Sequence, residues 1–132
     1  WLDDGAGSPQ AKAFLRFHTG APIVERPDAA AFAFVTAPDA APYADFRIGV
    51  DQYPDRSATL LVAVPSLGGG AVRRLTGPGI KDARDVAPAG DLAAFWAAWA
   101  RNGALYPLGY DAFLFDDAGA IGLPRGVKAM EI

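Results

Sequence analysis

The chain has 132 residues, 52% of them hydrophobic, and a formal net charge of −3 from 12 basic and 15 acidic side chains. This length fits one folding unit, and no apolar stretch approaches the roughly 20 residues that a membrane-spanning helix needs. The basic residues are scattered, which argues against a continuous positive surface for nucleic acid. We therefore predict one soluble domain, residues 1–132, that binds neither nucleic acid nor membrane.

The sequence contains no Cys and a single His. This composition excludes disulfides, thiolate nucleophiles and the ordinary Cys/His zinc sites, so we expect no metal. It is compatible with a cytoplasmic protein, which we predict. A hydrolytic triad is disfavoured, because none of the three Ser residues lies in the strand-to-helix turn that exposes such a nucleophile.

The first predicted element is a short helix over residues 10–17. Ser8 is placed to cap its free amides, and the Pro that follows suits the first helical position. Phe14 and Leu15 are expected to face inward. The helix should end near Gly20.

Two apolar runs, Ala31–Thr36 and Ala58–Val64, are predicted to form strands. Because neither run alternates with charged residues, we expect sheet strands that are covered on both faces. The segment 38–49 between them is predicted to be loop plus a short helix. After the glycine turn at 68–70, residues 71–76 are predicted to be the hairpin partner of the second strand.

A second helix is predicted from an Asp91 cap to Gly103, with apolar residues at i, i+3, i+4 and i+7. Those apolar positions are Leu92, Phe95, Trp96 and Trp99. We interpret the Trp pair as part of the core or of an interface. The segments 111–115 and 120–123 are predicted to form a second hairpin. Strands mixed with helices and hairpins indicate an α/β fold, a layered mixed sheet with flanking helices.

Arg16, His18 and Thr19 lie together at the predicted end of the first helix. An Arg, an imidazole and a hydroxyl can bind an anion, and His18 could carry a proton near neutral pH. The alternative is structural: His18 contacts the carbonyl groups at the helix C-terminus and Arg16 is an ordinary surface charge.

Asp111 at a strand entrance could act as a base, a ligand or a partner for Arg, or it could satisfy nearby amides. Arg125 lies on a Pro- and Gly-containing corner and is either a ligand-binding residue or a surface charge. The turn Gly77–Gly79 could cradle phosphate if a helix follows, but a plain tight turn is the preferred interpretation. His18 and Asp111 are thus the candidate catalytic residues, and no catalytic residue is assigned.

Five blocks of this sequence, in this order, resemble the PhnH family from end to end. The blocks are Trp1-Leu2; Leu15-Arg16-Phe17-His18-Thr19 with Ala21-Pro22; Arg74-Leu75-Thr76-Gly77-Pro78-Gly79-Ile80; Pro107-Leu108-Gly109 followed by Asp111; and Leu123-Pro124-Arg125. Five blocks in one order are far more specific than any one of them alone.

The resemblance implies an H subunit that associates with the G, I and J subunits of the carbon–phosphorus lyase core complex. We also expect the chain to form a homodimer. The resemblance implies a part in forming α-D-ribose 1-methylphosphonate 5-triphosphate from ATP and methylphosphonate, with the nucleosidase-like chemistry in the I subunit. It also implies a fold similar to the large domain of pyridoxal-phosphate transferases, without the cofactor lysine. No cofactor is therefore expected, in agreement with the ordinary sequence around Lys12, Lys81 and Lys128.

Two departures from the family pattern affect what is carried over. Family members have an additional N-terminal region with a helix and an early strand, so we expect residues 1–132 to lack that region. Members usually have hydroxyl residues after Leu-Pro-Arg, where this chain has Gly126-Val127. We expect an accessory subunit without activity of its own.

Two alternatives remain open at this point. The first is a phosphate- or phosphonate-binding or catalytic subunit that uses Arg16, His18 and Arg125, with Thr19 contributing a hydroxyl and Asp111 orienting an Arg. The second is an α/β domain of unrelated function that binds a small molecule.

Overall fold

The computed structural model describes residues 1–132, which form two α-helices and nine β-strands. The helices are α1 (Pro9–Thr19) and α2 (Ala93–Gly103), and the strands are β1 (Phe32–Val35), β2 (Ile48–Val50), β3 (Tyr53–Ser57), β4 (Thr59–Ala63), β5 (Arg73–Thr76), β6 (Arg84–Val86), β7 (Asp111–Phe115), β8 (Ala120–Leu123) and β9 (Lys128–Glu131). Short 3-10 helices lie at Pro27–Ala29 and Tyr43–Asp45, the second within the segment predicted to hold a short helix. Neither α-helix has the length and apolar character needed to cross a membrane.

A four-stranded sheet with the order β1-β4-β7-β8 forms the centre of the molecule. Its first three strands are parallel, and β8 returns antiparallel to β7 through the predicted hairpin. Two smaller antiparallel sheets, β2-β3 and β6-β5-β9, complete the fold. The predicted α/β class with a mixed sheet is therefore confirmed.

The core lies between one face of the central sheet and α2. Alternate residues of β1, β4 and β7 point into it, together with the apolar side of α2. These buried residues include Ala33, Val35, Leu60, Val62, Ala112, Leu114, Phe95, Trp96 and Trp99. Burying each large apolar side chain contributes about 1.5–3 kcal/mol. The interpretation of the Trp pair as core residues is confirmed.

Helix α1 forms where the local signals predicted it. The Ser8 hydroxyl accepts a hydrogen bond from the Ala11 amide at 3.1 Å, and Gly20 ends the helix with a φ of 65°. The predicted inward orientation of its aromatic residue is wrong, because Phe14 is 61% exposed. Leu15 is only half-buried, and no residue of α1 is fully buried.

Helix α2 ends at Gly103 as predicted, but its predicted cap is wrong. The helix begins at Ala93 after Leu92, and no side chain caps its first amides. Asp91 is exposed one residue before the capping position. Burial of the apolar side of α2, rather than a polar cap, therefore stabilises this helix.

The predicted partner of β4 is also wrong. Residues 73–76 form β5, which pairs with β6 and β9 in a separate sheet. Both sides of β4 are already occupied by the parallel strands β1 and β7. The segment 71–76 therefore has no free edge of β4 to pair with.

The central sheet is fully covered on one face only, contrary to the prediction from its apolar runs. On the other face Phe32 is 60% exposed and Phe113 is 42% exposed. Phe34, Leu61 and Phe115 are half-buried beside them and line a shallow, wholly apolar depression. We call this surface the open face. Parallel sheets normally have both faces covered, so its exposure is unusual.

Asn102 is the buried polar side chain that holds α2 to the start of β7. Its amide nitrogen donates to the Tyr110 carbonyl oxygen at 2.8 Å, and its amide oxygen accepts from the Tyr110 N–H at 2.9 Å. Gly109 packs so closely that a Cβ there would lie 2.7 Å from the Asn102 side-chain oxygen. The pair fixes the chain just before Asp111.

We expect Asn102→Ala to lower the free energy of unfolding by about 2–4 kcal/mol, because two buried backbone groups of Tyr110 lose their partners. Urea denaturation measures this change. The control is Arg101→Ala on the same helix, where the exposed side chain should contribute within about 0.5 kcal/mol. Equal effects of the two substitutions would contradict the role of Asn102 in holding α2 to the start of β7.

Candidate functional site

The structure brings together two of the predicted site residues, Asp111 and Arg125. Asp111 opens β7, and Arg125 lies in the turn after β8. The guanidinium donates from Nε to Asp111 Oδ1 at 3.1 Å and from Nη2 to Oδ2 at 2.7 Å. The Arg125 amide adds a third hydrogen bond to Oδ1 at 2.8 Å. Asp111 is thus a partner for Arg, one of its predicted alternatives.

The same guanidinium also contacts β3. Nη2 donates to the Ser57 hydroxyl oxygen at 2.7 Å, and Nη1 donates to the Pro54 carbonyl oxygen. The Arg125 side chain is only 14% exposed. We call this set, Pro54, Ser57, Asp111 and Arg125, the Arg125 clamp. It ties the corner after β8 to β3 and to the first residue of β7.

The electrostatics of the clamp keep Asp111 ionised. Burial alone would raise the pKa of the Asp111 carboxyl, but the hydrogen bonds and charge of Arg125 outweigh it, so its pKa is lowered. A general acid or base near neutral pH needs a pKa shifted the other way. The arrangement is therefore suited to structural pairing.

Sequence reasoning missed Ser57 and Pro54 as members of this cluster. They lie 68 and 71 residues from Arg125 along the chain, and nothing in the local sequence signals the contact. From the sequence, Ser57 is only one of three Ser residues that lack the strand-to-helix turn of a catalytic nucleophile. A contact of such long range follows from the sheet arrangement, which the sequence did not predict in full.

A cavity of about 570 Å³ lies beside the clamp. Asp111 and Phe113 line it from β7, and Arg84 lines it from β6. The turn Gly77–Ile80 forms another wall, closed by the Ile80 N–H donating to the Gly77 carbonyl oxygen at 3.1 Å. No helix follows this turn, and the chain continues into β6. The plain-turn interpretation of the Gly-Pro-Gly segment is therefore the one that fits.

Arg16, His18 and Thr19 lie on the exposed end of α1. The His18 ring lies 4.3 Å from the Phe14 ring, centroid to centroid. The Thr19 hydroxyl accepts from the Ala21 N–H at 3.1 Å and donates to the carbonyl oxygen of Leu15. The hydroxyl therefore serves the local turn.

The two groups of predicted residues occupy separate places. Thr19 lines a cavity of about 440 Å³ with Phe32 and Arg47, and this cavity shares no lining residue with the one beside Asp111. No hydrogen bond or ion pair joins Arg16 or His18 to the Arg125 clamp. Ligand binding by Arg16, His18, Thr19 and Arg125 stays a prediction, as do the catalytic roles considered for His18 and Asp111.

The departure at Gly126-Val127 has a structural role. Val127 is buried, and its carbonyl oxygen accepts a hydrogen bond from the Trp99 indole N–H at 2.9 Å. Val127, two residues after Arg125, is therefore part of the hydrophobic core.

No group of three or more His, Asp or Glu side chains is arranged to hold a metal ion.

We expect Arg125→Ala to lower the free energy of unfolding by about 2–3 kcal/mol, because the half-buried Asp111 carboxylate loses its charged partner. The matched control is Arg74→Ala, which removes an equally bidentate pair with Asp85 that is exposed on the surface. Its effect should be clearly smaller. Chemical denaturation of both variants compares them, and a larger loss from Arg74→Ala would contradict the clamp.

The lowered pKa of Asp111 predicts a pH dependence. Because the carboxyl is more acidic when folded, its stabilising contribution is present above the unfolded pKa of about 3.9 and is lost as the pH falls through the lower folded value. The stability difference between the parent chain and Asp111→Asn should be constant near neutral pH and shrink below about pH 4. Denaturation over a pH series measures it. The same substitution in an Arg125→Ala background should lose most of this dependence.

Comparison with known proteins identifies the family. The model of the family described as bacterial phosphonate metabolism protein (PhnH) matches residues 1–130. The α-D-ribose 1-methylphosphonate 5-triphosphate synthase subunit PhnH of Rhizobium meliloti (strain 1021) is 39% identical over 129 residues, which are 97% of this chain and 64% of that protein. HtxG of Stutzerimonas stutzeri, named as a candidate C-P lyase subunit protein, is 33% identical over 79 residues. These residues are 60% of this chain and 40% of that protein. The chain thus spans just under two thirds of the Rhizobium relative, and it belongs to the PhnH family of bacterial phosphonate metabolism proteins.

Proposed function

We propose that the chain is an accessory subunit of a carbon–phosphorus lyase system in phosphonate catabolism. In this role it supports the transfer of ribose triphosphate from ATP to methylphosphonate, with release of adenine. The family match over residues 1–130 carries the proposal. The Rhizobium relative, which is 39% identical, is named as a subunit of α-D-ribose 1-methylphosphonate 5-triphosphate synthase. That name supports α-D-ribose 1-methylphosphonate 5-triphosphate as the product of the proposed reaction.

The Arg125 clamp favours an accessory role over a catalytic one. The Asp111 carboxylate accepts three hydrogen bonds from Arg125, and its pKa is lowered. The Arg125 guanidinium donates its other hydrogen bonds to the Ser57 hydroxyl and the Pro54 carbonyl oxygen. A substrate phosphonate would have to displace these partners to reach the guanidinium, and that exchange opposes binding.

The partners belong to the same proposal. We place the chain in the cytoplasm, as a homodimer that assembles with the G, I and J subunits of the core complex. The large apolar side chains of the open face support assembly, since exposed apolar patches of this kind mark interaction surfaces. The proposed likeness to the large domain of pyridoxal-phosphate transferases extends to the fold and not to the cofactor.

Affinity purification of the tagged chain from cells grown on methylphosphonate under phosphate limitation tests the assembly. We expect the G, I and J subunits to co-purify. We also expect the purified chain alone to convert neither ATP nor methylphosphonate, because the chemistry is placed in another subunit. Conversion by the isolated chain at enzymic rates would overturn the accessory role.

Arg16→Ala separates this proposal from the ligand-binding alternative. Arg16 is exposed at the end of α1 and lies outside the clamp, so the accessory role predicts undiminished growth on methylphosphonate. The measurement is growth on methylphosphonate of a bacterial strain in which the variant replaces the strain's own PhnH-family protein. The control is Lys81→Ala, another exposed cation away from α1. Loss of growth with Arg16→Ala alone would favour an anion site at α1.

A further inference from the structure

The buried side chain of Asn102 is followed in sequence by Gly103, and it is the only Asn in the chain. Asn is among the thermolabile residues, and an Asn followed by Gly rearranges most readily in a flexible chain. The reason is that glycine has no β-carbon to hinder its own main-chain nitrogen when that nitrogen attacks the preceding side chain. The pair lies in the last turn of α2, where Asn102 is 2% exposed. The fold therefore holds a chemically labile pair at a buried position.

The rearrangement replaces the side-chain amide of the Asn with a carboxyl group. The main-chain nitrogen of Gly103 forms a bond to Cγ of Asn102, and the bond from Cγ to Nδ2 breaks. Nδ2 leaves as ammonia with the proton that the main-chain nitrogen gives up. A water molecule from the solvent then opens the cyclic imide: its attack on Cγ yields aspartate, and its attack on the main-chain carbonyl carbon yields isoaspartate. The reaction consumes water and requires neither an oxidant nor a reductant.

The native structure holds the two reacting groups apart. The Asn102 amide nitrogen donates to the Tyr110 carbonyl oxygen at 2.8 Å, and Oδ1 accepts from the Tyr110 N–H at 2.9 Å. Gly109 closes over this side chain, since a Cβ there would lie 2.7 Å from Oδ1. Gly103 is helical, so its N–H is directed along α2 toward the carbonyl group four residues earlier. Attack on Cγ therefore requires Asn102 to leave Tyr110 and the end of α2 to unwind.

The fold does not require Gly at position 103. Outside the helix's own backbone, no heavy atom lies within 4 Å of the place that a β-carbon would take, and the φ of Gly103 is not in the left-handed region. The helix ends one residue later at Ala104, with an ordinary right-handed φ of −71°. Ala has a higher helix propensity than Gly. Neither packing nor helix geometry therefore explains the Gly that makes Asn102 labile.

We propose that Asn102-Gly103 is a deamidation site that the native fold keeps closed, and that its reaction in an opened chain shifts that chain toward the unfolded state. A carboxylate only accepts hydrogen bonds, so the aspartate product leaves the Tyr110 carbonyl oxygen without a donor and buries a charge. The isoaspartate product adds a carbon atom to the main chain in the last turn of α2. Chains that open are thereby marked irreversibly. This inference is independent of the proposed accessory role.

The rates of deamidation in the folded and the unfolded chain test the protection. The chain is incubated at mildly alkaline pH in buffer and in urea, and mass spectrometry follows the replacement of an amide by a carboxyl group. We expect the folded chain to react at least about a hundredfold more slowly, because the reaction is confined to the open population. The control Gly103→Ala should fold like the parent and lose most of the reaction in urea, and it retains both Gln residues. Equal rates in buffer and urea, or equal rates for parent and control in urea, would overturn the proposal.

A brief protease pulse tests the consequence for folding. The parent chain is aged in urea to partial conversion and brought to the urea concentration at which half of the unreacted chain is unfolded, and the pulse then digests unfolded chains. We expect mass spectrometry to find deamidated chains depleted among the survivors. Asn102→Asp supplies the aspartate product without ageing, and its unfolding equilibrium constant should exceed that of the parent at least about tenfold. Equal survival of deamidated and unreacted chains, or an unchanged equilibrium constant in Asn102→Asp, would overturn the proposed shift toward the unfolded state.

Discussion

The guanidinium of Arg125 holds together three parts of the chain that are far apart in sequence. It contacts β3 through Ser57 and Pro54, and it contacts the first residue of β7 through Asp111. Asp111 follows directly after Tyr110, whose backbone is held by Asn102 of α2. The core helix, the central sheet and the β2-β3 hairpin are thus connected through the Arg125 clamp and the Asn102 hydrogen bonds. The placement of the cavity beside the clamp depends on this connection, because the corner that carries Arg125 continues directly from β8.

The elements that local signals specify were predicted well. Helix α1 has its Ser cap directly before it and its terminal Gly directly after it. The β7-β8 hairpin closes over a turn in which the Asp116 carboxylate accepts hydrogen bonds from the Ala118 and Gly119 amides. Strand pairing was harder, because it depends on which edges remain free once other strands have paired. Residues 73–76 have strand-forming character whichever sheet they join. Only the parallel pairing of β4 with β1 and β7 excludes them from pairing with β4.

The candidate site shows the same division. Asp111 and Arg125 were each identified from the sequence, and an Arg partner was among the roles considered for Asp111. Their pairing with each other, and with Ser57, arises from contacts across 14 and 68 residues that no local pattern encodes. The end of α1 was equally conspicuous in sequence, yet its side chains stay apart from the clamp. The order of the five sequence blocks identified the family, which the match over residues 1–130 confirms. Sequence similarity thus identified the family more reliably than residue chemistry identified the site.

The open face has a consequence for how the molecule behaves in a cell. A surface that leaves Phe32 and Phe113 in contact with water favours nonspecific association as long as nothing covers it. Copies with this face uncovered would then be cleared by chaperones and proteases faster than copies with it covered. The amount of this polypeptide in a cell would accordingly follow the supply of any partner that covers that sheet.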